Sequence, residues 1–211
     1  MAKMTVHSKN HAPWIDGFGF ALVELLIAAA LTLIISTGIY GALAEIQRWT
    51  SYQREARDVA FNAYAALETV ERILRQAGNN PHDISMSGVL IESSTNVHIQ
   101  SDLTGSLGPG DPDKGDPDGD MNDSGEDIII RHNPSARTLE LVSGAGSVQP
   151  AANYIVGFSL QFYDAVGTIT SSSDEVRSIS IEISAATTLL HPQTRKAFGI
   201  RLNSIVQIFN R

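Results

Sequence analysis

Residues 20–44 read FALVELLIAAALTLIISTGIYGALA, and these 25 residues hold one charged side chain, Glu24. An apolar helix of about 20 residues spans the hydrocarbon core of a bilayer, so this stretch is long enough to cross with some tilt. A cleavable secretory signal has an apolar core of roughly 7–15 residues followed by a small-residue cut site. Here the run is longer, and the glycine suited to cleavage lies before it. A plain signal anchor explains the length but not Glu24, because a carboxylate in the first turns of a membrane helix is costly and is usually functional. Glu24 also lies near a helix end, where snorkelling to the headgroups is open to it.

The helical pattern continues past the apolar run. From Glu45 to Gln76 there is no proline or glycine. Trp49, Tyr52, Ala56, Val59, Ala63, Leu67, Val70, Leu74 and Ala77 recur at steps of three or four, which marks one apolar helical stripe. Gly78-Asn79-Asn80-Pro81 is the stop. One helix over 20–76 would be roughly 85 Å long. Gly38 and Gly41 are its weakest positions; they mark either a kink or local melting, or a site of close helix packing.

After Pro81 the period falls to two. Val89-Leu90-Ile91 and Val97-His98-Ile99 are short strand candidates. Residues 127–132 (DIIIRH) and 137–142 (RTLELV) flank the turn Asn133-Pro134-Ser135-Ala136 and predict a hairpin. Residues 154–163 place Ile155, Phe158, Leu160 and Phe162 mainly on one face. Residues 176–185 turn Val176, Ile179, Ile181 and Ile183 inward and Ser178, Ser180, Glu182 and Ser184 outward. Residues 198–209 give a last strand with Ile200, Leu202, Ile205, Val206 and Ile208. The expectation is an α+β fold, with a long N-terminal helix covering the dry face of one antiparallel sheet.

The segment Gly19-Phe20-Ala21-Leu22-Val23-Glu24-Leu25-Leu26 resembles the type IV prepilin signal: a glycine, a cut, a hydrophobic first residue and a glutamate at the fifth mature position. Only Gly19 sets that distance, since a cut after Gly17 would put Leu22 there. The resemblance implies cleavage after Gly19 by a prepilin peptidase and N-methylation of Phe20. It also implies pairing of Glu24 with the N-terminal amine of a neighbouring subunit. A buried carboxylate facing an ammonium is compensated where a lone one is not, so Glu24 would set axial register. The sequence departs from the family in one respect: Asp16-Gly17-Phe18 stands where Lys or Arg usually precedes the glycine. Lys3 and Lys9 still make the leader lean positive, which favours a cytoplasmic N-terminus, although Arg48, Arg54 and Arg57 follow on the other side. The stretch from Ala65 to Gly78, the Asp-rich loop into Gly125-Glu126-Asp127-Ile128 and the strand at Val176-Arg177-Ser178-Ile179 are similar to PilW-like minor pilins. The J-type minor pseudopilins of type II secretion share much of that helix pattern.

The resemblance implies this layout: leader 1–19, membrane or filament-core helix 20–44, amphipathic helix 45–77, and a sheet head 78–211 with an acidic loop at 102–127. The protein would be single-pass in the inner membrane, with a periplasmic head, and would then pass to the pilus at the cell surface. Its partners would be the peptidase and other pilin subunits, and it would be a filament subunit rather than an enzyme. A signal-anchored periplasmic binding or adhesion protein is the alternative from a different class.

The formal charge is −8, and the stretch 102–127 alone carries nine acids and one base, so the rest of the chain is balanced. No basic excess is present to track a nucleic-acid backbone, and no nucleic-acid contact is expected. The absence of cysteine excludes a disulfide framework, a zinc ribbon or thiol catalysis. Residues 105–127, rich in Gly, Pro, Asp and Ser, read as a loop. Within it Asp116, Asp118, Asp120, Asn122 and Asp123 offer oxygens of the kind calcium uses. The twelve-residue calcium loop does not fit: counting from Asp116, the sixth position is Met121 and the twelfth is Asp127. Two readings stand, an irregular calcium site and a solvated, self-repelling loop. The histidines at 7, 11, 82, 98, 132 and 191 include no helical metal pair, and no GxSxG, phosphate loop or dinucleotide fingerprint occurs. His98 and His132 read as surface or satisfied strand residues.

Overall fold

The structure, a computed structural model, describes residues 16–105 and 115–208, with the backbone alone at 16–20. It is an α+β fold. Helix α1 runs from Asp16 to Gln76, and eight strands follow: β1 Val89–Ile91, β2 Asn96–Gln100, β3 Asp127–Asn133, β4 Thr138–Ser143, β5 Val148–Ala152, β6 Ile155–Tyr163, β7 Ser178–Leu190 and β8 Ala197–Gln207. By its contacts the chain divides into two units, one ending at Trp49 and the other beginning at Thr50.

In the second unit α1 ends where the breaker group requires. Gly78 takes φ of +73°, a left-handed conformation that costs glycine least. Its N–H donates to the Gln100 carbonyl at 2.9 Å, tying the helix end to β2. Gly88 passes so close to this turn that a Cβ there would lie 2.5 Å from the Gly78 Cα, so no larger residue fits without backbone movement.

The strands make two antiparallel sheets, where the sequence suggested one. The first is a meander in the order β1-β2-β3-β4-β5, and the second has the order β6-β7-β8. The predicted hairpin is β3–β4, in register from Ile128↔Ser143 to Asn133↔Thr138. The passage between the sheets is tight. Arg137 and Tyr154 both adopt positive φ, the Ile155 N–H donates to the Arg137 carbonyl at 2.9 Å, and the Arg137 guanidinium reaches the Ala186 carbonyl of β7.

One core joins the helix to both sheets. Val59, Ala63, Ala66, Val70, Ile73, Leu74 and Ala77 enter it from α1, Val97, Ile99 and Ile130 from the first sheet, and Ile155, Phe158, Leu160, Phe162, Ile179, Ile181 and Ile183 from the second. The expected stripe is therefore the packed face, widened by Ala66 and Ile73; Tyr52, Ala56 and Leu67 are only half-buried. Polar side chains of the helix fix its position on the strands. The two carboxylate oxygens of Glu55 accept the N–H groups of Thr188 and Leu189, each at 2.8 Å, and Asn62 Oδ1 accepts the N–H of Asn153 at 3.1 Å. On β8, alternation leaves Ile205 exposed and buries Val206, and Ile208 just past the strand is buried too.

On the first sheet Glu140 is buried and engaged from three sides. The Asn133 side-chain amide donates to Oε1 and the Arg131 Nε to Oε2, both at 2.8 Å, and the Thr138 hydroxyl lies at 3.3 Å. The Asn133 amide first, then Arg131, hold its carboxyl below the usual carboxylate range against the opposing effect of burial. A lowered folded-state pKa contributes stability above the unfolded value, about 4.3, and that contribution is lost as pH falls through the folded value. Glu140→Gln is therefore expected to lower the melting temperature at pH 7. Wild-type and variant temperatures should converge in acid when both are followed by circular dichroism from pH 7 to pH 3.

Candidate functional site

The residues singled out by the sequence fall in two places, the beginning of α1 and the connection between β2 and β3. At the first, the helix is already formed at Asp16, four residues before the expected start. Gly19 and Phe20 thus have helical backbone, while their side chains, and leader residues 1–15, lie outside the described residues. Beyond them α1 is long and apolar enough to cross a membrane. Its large apolar side chains from Leu22 to Ile46 are exposed, and Glu24 stands exposed among them.

Two threonine hydroxyls in this stretch have internal partners. Thr32 Oγ1 donates to the Ala28 carbonyl at 2.8 Å and Thr37 Oγ1 to the Leu33 carbonyl at 2.7 Å. A carboxylate cannot use that device, because it only accepts, and a helix interior offers no spare N–H. In an apolar surrounding Glu24 needs a donor from outside its own helix. At Gly38 and Gly41 the helix is continuous. A Cβ at either position would meet nothing within 4 Å, which leaves both backbones open to close approach.

The second place is the acidic loop. The β2–β3 ladder runs from Asn96↔Arg131 to Gln100↔Asp127, so both ends of the loop are held side by side. Ser101 N–H extends the pairing by donating to the Glu126 carbonyl at 2.9 Å. Glu126 is wholly buried. Its Oε1 accepts from the N–H groups of Leu103 and Thr104, both at 2.8 Å, and its Oε2 from Asp123 N–H at 3.1 Å. Asp102 is also wholly buried. Its backbone is tied twice to the end of α1, since Asp102 N–H donates to the Asn79 carbonyl at 2.8 Å and the Asn79 amide donates back at 3.0 Å.

Of the five residues offered as calcium ligands, the structure gathers three. Carboxylate oxygens of Asp118, Asp120 and Asp123 lie within 4.8 Å of one another. Asp116 is exposed and outside this group, and Asn122 contributes a backbone N–H to Asp120 Oδ1 at 2.8 Å. Asp127 is taken by the His98 imidazole. Residues 106–114, which complete the acidic run, lie outside the described residues. Both strand histidines are satisfied as expected: besides the His98–Asp127 pair, His132 Nε2 contacts the Ile155 carbonyl at 3.1 Å.

Sequence reasoning did not separate Asp102 and Glu126 from the solvated acids around them. The available signal was position, since each lies within two residues of a strand end, where the chain is pinned. No protein-family model and no curated protein sequence matches the chain.

Because Glu126 accepts hydrogen bonds from three part-buried amides, Glu126→Ala is expected to cost about 1–3 kcal/mol. The loop should loosen at its base. Limited proteolysis should then cut the variant between 103 and 125 faster than wild type, and equal rates would contradict this role.

Proposed function

We propose that this chain is the precursor of a minor subunit of a type IV pilus-like filament, of the PilW-like kind, and that its activity is assembly. The observation that carries the reading is the register of Gly19, Phe20 and Glu24 at the start of an apolar helix whose later half is built into an antiparallel sheet head. Cleavage after Gly19 would leave Phe20 as a new amino terminus, methylated on nitrogen. The donor that Glu24 needs is then the ammonium of a neighbouring subunit, and the pair forms at one axial offset only. The exposed apolar side chains from Leu22 to Ile46 support packing in lipid before assembly and against other pilin helices after it. The N-terminus is cytoplasmic and the head periplasmic before the filament is built. The Ala65–Gly78 pattern, shared with J-type pseudopilins, favours a second reading in which the filament is the pseudopilus of a type II secretion system.

Mass spectrometry of the protein recovered from cells that process prepilins is expected to find N-methyl-Phe20 as its first residue. An intact Met1 would overturn the proposal in favour of a signal-anchored protein of another class. Gly19→Val should block this maturation. Glu24→Ala should be cleaved normally yet be largely absent from sheared filaments, and wild-type incorporation of that variant would remove Glu24 from the assembly step.

A further inference from the structure

We propose that the base of the β2–β3 loop binds a divalent cation, and that calcium is the ion its oxygens suit. The inference goes beyond the assembly reading and does not depend on it. Three carboxylates, those of Asp118, Asp120 and Asp123, converge within 4.8 Å on the outer side. Such a cluster alone is common on solvated surfaces, but a fourth carboxylate distinguishes this one. Asp102 is wholly buried, and its Oδ2 accepts the N–H of Gly119 at 3.2 Å. Gly119 is the residue between Asp118 and Asp120, so the buried carboxylate is directed at the turn that carries two of the three outer ones. Its Oδ1 is buried and has no hydrogen-bond partner.

Buried polar atoms are almost always satisfied, and an orphaned charged oxygen is the costliest exception. Among the described residues no salt bridge reaches Asp102, Asp118 or Asp120. The segment thus concentrates negative charge at one turn, with a buried oxygen in need of a positive partner. A cation seated on Asp118, Asp120 and Asp123, with the buried Asp102 carboxylate behind the Gly119 turn and outside the converging group, offsets the charge of all four. The donors are all oxygens, which suits a hard cation over zinc or copper. Their spacing is irregular, and calcium accepts six to eight oxygens in flexible geometry where magnesium demands an octahedron.

The test uses the full chain in detergent micelles, freed of metal by chelation and titrated calorimetrically with calcium chloride and, separately, magnesium chloride. One calcium site is expected, with Kd of about 10⁻⁵–10⁻³ M, and weaker magnesium binding. Asp118→Ala with Asp120→Ala, both at exposed positions, should abolish the calcium heat. Asp102→Asn should weaken binding about tenfold or more, and in the absence of calcium it should melt at or above the wild-type temperature, because it removes a buried unpaired charge. Calcium should raise the melting temperature of wild type and not of the double variant. No heat with wild type, undiminished binding by the double variant, full affinity in folded Asp102→Asn, or magnesium binding as tight as calcium would each overturn the proposal.

Discussion

The head depends on one stripe of one helix. Val59, Ala63, Ala66, Val70, Ile73, Leu74 and Ala77 recur at helical spacing and are all buried. Burying a valine, leucine or isoleucine fully contributes roughly 1.5–3 kcal/mol, so this face outweighs any single polar contact in the head. With strand residues of both sheets these helix residues form one hydrophobic cluster. Polar groups add to the helix's seat at its exposed edge: Glu55 accepts two N–H groups from the end of β7, and Asn62 accepts that of Asn153 between β5 and β6.

That arrangement explains how the charge of the chain is handled. The loop acids are not equivalent, although composition counts them alike. Glu126 is buried and fully engaged by amides, so it works as a clasp for the loop. Asp102 is buried and half engaged. Asp118 and Asp120 are solvated. Counting charge located the loop, but burial separates its supporting members from those that face outward.

Much of the fold was legible because period and burial agree. The stripe from Val59 to Ala77, the hairpin at 127–142 and the inward isoleucines at 179, 181 and 183 all follow from spacing. The shared face of Ile155, Phe158, Leu160 and Phe162 was legible too, and a bulge between Ile155 and Gly157 accounts for its step of three. The misses have local causes. Strand β5 escaped notice because Pro150 and the nearby glycines read as loop; as the edge strand of its sheet it tolerates a proline. The break between the two sheets falls at Asn153 and Tyr154, and the left-handed conformation of Tyr154 has no signature in residue type. At the candidate site, side-chain chemistry was readable at Asp118, Asp120 and Asp123, whereas the burial of Asp102 depends on distant chain, the end of α1, and was not.

The contacts of Glu55 with Thr188 and Leu189 join residues 133 and 134 positions apart. Nearly all strand neighbours are consecutive hairpins, which close quickly and locally. The helix therefore waits longest for its partners during synthesis. Its apolar stripe emerges first, and the second sheet that covers it is completed only when β8 joins β7. Until then the stripe from Val59 to Ala77 has only the first sheet against it, and its remaining apolar surface is open to a chaperone or to premature association. The last strand therefore acts as the latch of a vectorially made domain.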